Sequence, residues 1–249
     1  MVKLYQIMGL FFLVGSYHSN LAKIDPVALT ELEKRWKKRF DKEEVELCKK
    51  YGIKPEDLGL IRQQVPKLPQ NLSVPTIEGA VCSGELIPSS KAESDKIKPL
   101  LAKILSERAI NDLVVLKCVN GTTKNSTSAT TEKIGQSIVS SDLRSVVILS
   151  ERCFKEQPLF DNEIMHEAVH VIYRDHLIVT YLISKSVSAE DYLALCEKRA
   201  DSLATIKASD PIKRAWAIWR SPSPAPYAYR NSPEWVELIK ELSECQLPD

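Results

Sequence analysis

The sequence lacks several features that would each indicate a class of function. Basic residues form no dominant block, and 34 Lys and Arg against 33 Asp and Glu leave a formal net charge of +1 over 249 residues. A nucleic acid is therefore not an expected partner. The six cysteines include no C-x-x-C pair, so a zinc site built from thiolates has little support. We also see no internal repeat.

Long apolar runs are missing except at the N-terminus. Lys3 precedes an apolar stretch over residues 4–14, and the small residues Gly15 and Ser16 follow it. This layout is typical of a secretory signal peptide, so we expect residues 1–16 to direct export to the periplasm or the extracellular space. The alternatives are an uncleaved anchor and a buried N-terminal helix. No other segment reaches transmembrane length, so no stable membrane span is expected after removal of the signal.

The rest of the chain divides by composition into three parts. Residues 24–64 predict an N-terminal helical segment, with helices over 29–40 and 42–50 and Gly52 at the C-cap of the second. Prolines without apolar periodicity predict a linker over residues 65–90. Residues 91–249 then form the predicted main domain.

Within the main domain we expect a helix over 91–109, kinked at Pro99, and strands at 113–119 and 144–150. A helical half follows. Its predicted helix starts are Asp161 or Asn162, the capping box of Ser188 and Asp191, Asp210-Pro211, and Ser232-Pro233. Residues 221–232, rich in Pro and Tyr, should be extended. The expected fold class is α+β, with a small sheet and a predominantly helical C-terminal half.

The chemistry-bearing motif lies in the first helix of that half. Residues 166–170 follow the pattern H-E-x-x-H, and three of the four histidines of the chain lie within eleven residues, at 166, 170 and 176. On a helix, His166 and His170 project from one face, where both imidazoles can reach a single Zn²⁺. Glu167 lies about 100° around the helix, beside the ion, where it can accept a proton from water.

The other residues of this helix predict how it is buried. Met165, Ala168, Val169 and Ile172 follow helical spacing and form the expected buried stripe, and the histidines lie off it. Two solvated histidines on a surface helix are the alternative interpretation.

A catalytic zinc has three protein ligands, and two residues compete for the third place. His176 is spaced as in the metzincin pattern H-E-x-x-H-x-x-G-x-x-H, but Tyr173 replaces the glycine that allows the required turn. Glu197 is the preferred candidate. With Asp201 it forms an i, i+4 pair of like charges on a face rich in alanine, and such a pair needs a cation. Asp201 is the expected acceptor that orients a ligand histidine. The alternative is that Glu197 and Asp201 lie on the surface and form ion pairs with Lys198 or a distant arginine.

His166-Glu167-x-x-His170 followed by Glu197-x-x-Ala200-Asp201 resembles the gluzincin zinc metallopeptidases, and among them the HtpX/CAAX-prenyl-endopeptidase family. The resemblance covers roughly residues 140–245 and is specific over the two motifs. It implies a zincin-like domain with Glu197 as the third zinc ligand and Asp201 supporting the site. The short gap between His170 and Glu197 is closer to ImmA/IrrE-type peptidases, which are the second choice.

Besides this short gap, the chain departs from that family in two further ways. Ser232-Pro233 stands where the family has a His-Pro near the C-terminus, and hydropathy excludes the multi-span membrane members. The resemblance also implies that Val146–Leu149 is the edge strand before the active helix, able to take an extended peptide as an added strand. The candidates for a group that stabilises the oxyanion are Tyr173, His176, Tyr227, Tyr229 and Arg230.

These observations predict an exported endopeptidase that uses one Zn²⁺ ion, acts on a protein or peptide substrate, and has Glu167 as general base. Two alternatives stay open. One is a catalytically silent protein that keeps the zincin fold as a binding scaffold. The other is a metzincin-like peptidase with His176 as the third ligand.

Overall fold

The computed structural model describes residues 23–64, 82, 84–120, 123–124, 132–133, 135–139, 145–155, 157–220 and 232–247. The predicted signal peptide and the Pro/Tyr-rich segment over 221–231 lie outside these residues. Within the described part of the chain, no helix combines the length and the apolar character needed to cross a membrane.

The described residues form a mixed α+β fold dominated by helices. The helices are α1 (Pro26–Tyr51), α2 (Pro55–Arg62), α3 (Lys91–Leu101), α4 (Glu107–Asn111), α5 (Glu151–Lys155), α6 (Gln157–Tyr173), α7 (Asp175–Ser184), α8 (Glu190–Ile206), α9 (Pro211–Arg220) and α10 (Pro233–Glu244). The strands are β1 (Glu85–Pro88), β2 (Val114–Val119), β3 (Thr123–Lys124), β4 (Glu132–Lys133), β5 (Gly135–Val139) and β6 (Ser145–Ser150).

Helix α1 is continuous, although the sequence predicted two helices in its place. The Asp25 side chain accepts a hydrogen bond from the backbone N–H of Val27 at 2.8 Å and caps the N-terminus. No glycine or proline interrupts the helix after its first turn. It ends at Gly52, as predicted, because the left-handed backbone there (φ 67°) suits a residue without Cβ.

The caps predicted for the last two helices are confirmed. The Asp210 carboxylate accepts from the backbone N–H of Lys213 at 2.9 Å, and the Ser232 hydroxyl accepts from that of Trp235 at 3.3 Å. Two other predicted starts are wrong. Helix α6 begins before Asp161, and α8 has Ala189 at its N-cap, with no side-chain cap.

The main sheet has the strand order β1-β2-β6-β5. Strand β2 runs parallel to β6, and the outer pairs β1-β2 and β5-β6 are antiparallel. The implied edge position of Val146–Leu149 is therefore wrong, because β6 lies between two partners. Burial from both faces explains its uninterrupted apolar run. The described edge on that side is β5.

The segment over 65–90, for which the sequence predicted a linker, ends in structure that belongs to the sheet. Strand β1 pairs with β2 in the register Leu86 opposite Cys118. Cys82 is disulfide-bonded to Cys118. Three other cysteines, Cys48, Cys196 and Cys245, are buried free thiols.

Helix α1 shares a hydrophobic core with the C-terminal helices. Leu32, Trp36 and Phe40 of α1 belong to the same buried cluster as Met165 of α6 and Leu238 of α10. The two ends of the described chain are also paired. The backbone N–H of Asp25 donates to the carbonyl of Cys245, and that of Leu247 donates to the carbonyl of Lys23, both at 2.8 Å. The N-terminal helix is therefore part of the folded unit that carries α6.

Glu33 makes this packing sensitive to pH. Its carboxylate, nearly buried, pairs with Lys207 at the end of α8 and with Lys37 at 2.6 Å. Burial raises the pKa of Glu33, but the hydrogen bonds and charges of Lys207 and Lys37 outweigh burial and hold the pKa below its ordinary value of 4.5. A depressed pKa means that the ionised form stabilises the folded state above pH 4.5. That contribution is lost as pH falls through the folded-state pKa.

We therefore expect Glu33→Gln to lower the free energy of unfolding by about 1 kcal/mol at pH 7. The difference from wild type should shrink as the pH falls below 4.5, where the wild-type carboxylate takes up its proton. Urea unfolding at pH 7 and at lower pH measures both effects. Glu31→Gln is the matched control, because Glu31 pairs with Lys34 on the exposed face of the same helix. A difference that grows towards acid pH would contradict the assignment.

Candidate metal centre

Helix α6 carries His166, Glu167 and His170, and it is buried on more than one side. Met165 and Val169 face the core shared with α1 and α8, whereas Ile164, Ala168 and Val171 face the sheet and α3. The predicted stripe is right for Met165, Ala168 and Val169, but Ile172 is 46% exposed. The two histidines and Glu167 are themselves buried. They are not solvated surface residues.

Helix α8 packs against α6 and supplies the carboxylates. Ala200 and Ala204 have no exposed surface, which allows the two helices to approach closely. Asp201 is buried beside them, and the Glu197 side chain is 13% exposed. Lys198, the predicted alternative partner of this acidic pair, instead forms an ion pair with Glu43 of α1.

Three of the predicted ligands converge. His166 Nε2 lies 3.0 Å from His170 Nε2 and 3.3 Å from Glu197 Oε2, and His170 Nε2 lies 3.9 Å from Glu197 Oε1. One ligand atom from each of the three residues can be chosen so that all three lie within 4.8 Å of one another. Tetrahedral zinc with bonds of about 2.0–2.1 Å separates its ligand atoms by roughly 3.4 Å. The observed separations bracket that value, so this residue set fits such an ion.

The hydrogen bonds of the two Nδ1 atoms, on the outer side of the cluster, explain why the two Nε2 atoms at its centre need a cation. His166 Nδ1 is 2.8 Å from Asp201 Oδ1, as the sequence predicted for Asp201, and His170 Nδ1 is 2.8 Å from Asp175 Oδ2. Each carboxylate accepts the Nδ1 proton, which leaves the lone pair on Nε2. Two lone pairs and the Glu197 carboxylate then point at one another, and three acceptors in one place need a cation or a proton.

The pKa shifts of the two histidines also show that positive charge is favoured at this site. Burial lowers the pKa of His166, but Asp201 and Glu197 outweigh burial and raise it well above the ordinary value. The pKa of His170 is also raised, because Asp175 and Glu197 outweigh its burial. In the metal-free protein the site therefore holds a proton strongly. A metal ion that binds there must displace it.

Glu167 is placed beside the cluster rather than in it. Its side chain is 4% exposed, and its Oε2 makes no hydrogen bond to any described residue. A buried carboxylate oxygen without a partner is costly unless a ligand or water meets it. One turn earlier on α6, burial and the charge of Glu167 raise the pKa of Glu163 to about 7. The sequence analysis did not identify Glu163 as a neighbour of the site.

The turn after α6 sets where His176, the alternative third ligand, lies. Arg174 adopts the left-handed conformation (φ 51°, ψ 40°) between α6 and α7. This sharp turn brings Asp175 back to His170 Nδ1, whereas His176 is not part of the ligand cluster. The Nδ1 atom of His176 is buried without a hydrogen-bond partner among the described residues, and burial lowers its pKa. In the metzincin pattern the chain turns at the glycine, which corresponds to Tyr173 here. In this protein the turn occurs one residue later, at Arg174, and it brings Asp175 rather than His176 to the histidine pair.

Sequence reasoning also missed the charged residues behind Asp175. Arg199 on α8 is fully buried and forms ion pairs with Asp175 and with Glu44 of α1. Tyr173, an oxyanion candidate, stacks on Arg199 instead, with its ring centroid 3.8 Å from the guanidinium carbon. Tyr227, Tyr229 and Arg230 lie outside the described residues. One sequence signal could have indicated that Arg199 is buried. It lies on α8 in the same helical turn as Glu197 and Asp201, on a helix whose alanines predict close packing.

The fold and the site together define a mixed α+β protein with a buried His/His/Glu cluster that could hold a metal ion. Compared with protein-family models, with curated proteins and with solved structures, the chain matches none of them.

Proposed function

We propose that this protein is a zinc-dependent endopeptidase of the gluzincin type with a zincin-like domain, exported through its N-terminal segment. One observation carries the proposal. The side chains of His166, His170 and Glu197 converge, while Asp201 and Asp175 occupy the outer nitrogens of the two histidines. Two imidazoles and one carboxylate form a donor set typical of catalytic zinc, in which water takes the fourth position.

The residues present would divide the work as follows. His166, His170 and Glu197 would hold the ion. When bound, zinc makes water more acidic and polarises a carbonyl group. Glu167 takes the proton from the attacking water and delivers it to the leaving amine. Its Oε2 has no hydrogen-bond partner among the described residues, which is consistent with that role, because a general base must be able to reach the water from which it takes the proton.

The proposed substrate is a protein or peptide, and strand β5 offers a place to bind it. Strand β5 pairs with β6 on one side only among the described strands, and it contacts α6. An extended peptide can pair with such an edge through main-chain hydrogen bonds. This position replaces β6 as the proposed edge.

Turnover with and without zinc tests the proposal. Purified protein should cleave a denatured protein substrate, lose that activity in a chelator, and regain it when zinc is added back. A protein that binds zinc stoichiometrically but cleaves none of a broad set of unfolded substrates would contradict the peptidase proposal. That result would support the silent scaffold instead.

A further inference from the structure

We propose that Glu44 on α1 is a positioning residue for the metal centre, acting through Arg199 and Asp175 on His170. This inference rests on the metal site of the proposed function. It concerns what fixes one of the ligands, and it assigns a role at the site to a helix that contributes no ligand.

The first link joins the ligand to α7. Asp175 Oδ2 lies 2.8 Å from His170 Nδ1, and Asp175 Oδ1 forms the ion pair with Arg199 Nη2. The Asp175 side chain is buried, so its two oxygens face protein groups, among them these two partners, rather than bulk water. The position of Arg199 therefore fixes the orientation of the carboxylate that holds His170.

The second link crosses to α1. Arg199 has no exposed surface, and its Nη1 lies 3.3 Å from Glu44 Oε1. The ring of Tyr173 covers the face of the guanidinium at 3.8 Å. A planar guanidinium holds its N–H donors in fixed directions, so the two carboxylates that it bridges are oriented relative to each other. Asp175 and Glu44 thus position each other through Arg199.

The third link anchors Glu44. Arg62 of α2 binds both of its oxygens, one of them from Nη1 at 2.8 Å, and the hydroxyl of Tyr192 donates to Oε1 at 2.6 Å. Arg62 is fixed in turn, because its Nε donates to the backbone carbonyl of Tyr173 at 2.9 Å. Two arginines and two carboxylates make a group with balanced charge, in which Arg62 is partly exposed and the other three residues are more deeply buried. Burial raises the pKa of Glu44, but Arg62 and Arg199 outweigh it and keep the pKa low.

The consequence of losing Glu44 follows from this balance. With a neutral side chain at position 44, Arg62 and Arg199 share only Asp175 as a buried anion in this group. Arg199 then interacts more strongly with Asp175, which competes with the hydrogen bond from His170. Members of one buried polar network are coupled in this way. His166 should be affected less, because Asp201 holds it from within α8.

A purely structural role would have a different signature. If the group only joins α1, α2 and α8, its loss lowers stability but leaves the zinc affinity and the ligand geometry of the folded protein unchanged. Zinc affinity by chelator competition and the visible spectrum of the Co²⁺-substituted protein therefore separate the two roles. Both are measured on the full chain under conditions where circular dichroism shows it folded.

The variants are Asp175→Asn, Glu44→Gln and Glu44→Asp. The matched control is Glu46→Gln, on the same helix, whose partner is the exposed Lys49. Asp175→Asn should weaken zinc binding about 10- to 100-fold, as is typical for partners of ligand histidines. Glu44→Gln should weaken it roughly 3- to 30-fold and alter the Co²⁺ spectrum. Glu44→Asp keeps the charge and should fall between Glu44→Gln and wild type, whereas Glu46→Gln should match wild type.

The outcomes separate this inference from the proposed function. If wild type binds no zinc, both fail. If wild type binds zinc and Asp175→Asn weakens it, but folded Glu44 variants behave like Glu46→Gln, the metal site stands and the role of Glu44 is overturned. Should Glu44→Gln not fold, Glu44→Asp decides alone, because it keeps the buried charge balance.

Discussion

Replacing Glu167 by Gln should abolish peptide hydrolysis while zinc stays bound. The amide keeps the size of the side chain but cannot take a proton from water, and general bases typically contribute about 10²- to 10⁴-fold to rate. Glu167 lies beside the ligand cluster and is not one of the three converging residues, so zinc affinity should change little. Initial rates on a denatured substrate and metal content of the purified variant measure the two quantities.

Glu190→Gln, in the exposed first turn of α8, is the control for a charge removed from the surface. A Glu167→Gln protein with near wild-type turnover would exclude Glu167 as the base and, with it, the mechanism proposed above.

Replacing Glu197 by Ala should remove zinc, whereas replacing His176 by Ala should not. Glu197 supplies one of the three converging ligand atoms, and His176 supplies none. The loss for Glu197→Ala should exceed the 10- to 100-fold range seen for residues that only support a ligand. Competition with a chromophoric chelator gives both affinities on one scale.

The comparison is sharp because the two candidate ligands lie on different helices. The metzincin-like alternative requires the reverse pattern, with zinc lost from His176→Ala and kept by Glu197→Ala. Similar losses in both variants would point to general unfolding, which thermal unfolding of the chelated proteins detects.

The metal ligands show how far local sequence patterns carry. Helical periodicity alone places His166 and His170 on one face, and the same argument makes Glu197 and Asp201 neighbours on α8. The structure brings these two helices together and places Asp201 on His166. The prediction that two like charges on an alanine-rich face need a cation came from the cost of burying charge. The sequence of α8 alone is enough to make that argument.

The residues missed by sequence reasoning share a different property. Asp175 reaches His170 only because Arg174 adopts a left-handed backbone, which costs a non-glycine residue roughly 1–2 kcal/mol and is not suggested by the sequence. Glu44 and Arg199 belong to helices far apart in the chain, and nothing in either segment indicates the other. Surface charges and buried charges look alike in a sequence, since burial depends on packing.

The sheet gives a similar lesson. The sequence predicted β2 and β6 as strands, because apolar β-forming runs are local signals. It could not assign which strand lies at the edge. That depends on which strands pair, and β5, which covers the outer side of β6, lies in a segment without a strong pattern.

The sequence by itself determined the chemical character of this protein: an H-E-x-x-H helix, an acidic partner helix, and the helix ends set by Gly52, Asp210 and Ser232. Each of these follows from backbone geometry within a few residues. Only the tertiary structure decided that α1 shares the core of the site-bearing helices and that β5 rather than β6 is the edge among the described strands. It also decided that Asp175, Arg199 and Glu44 lie behind His170. The physical reason is that buried charges are satisfied by partners across the fold, and those partners are selected by packing between segments.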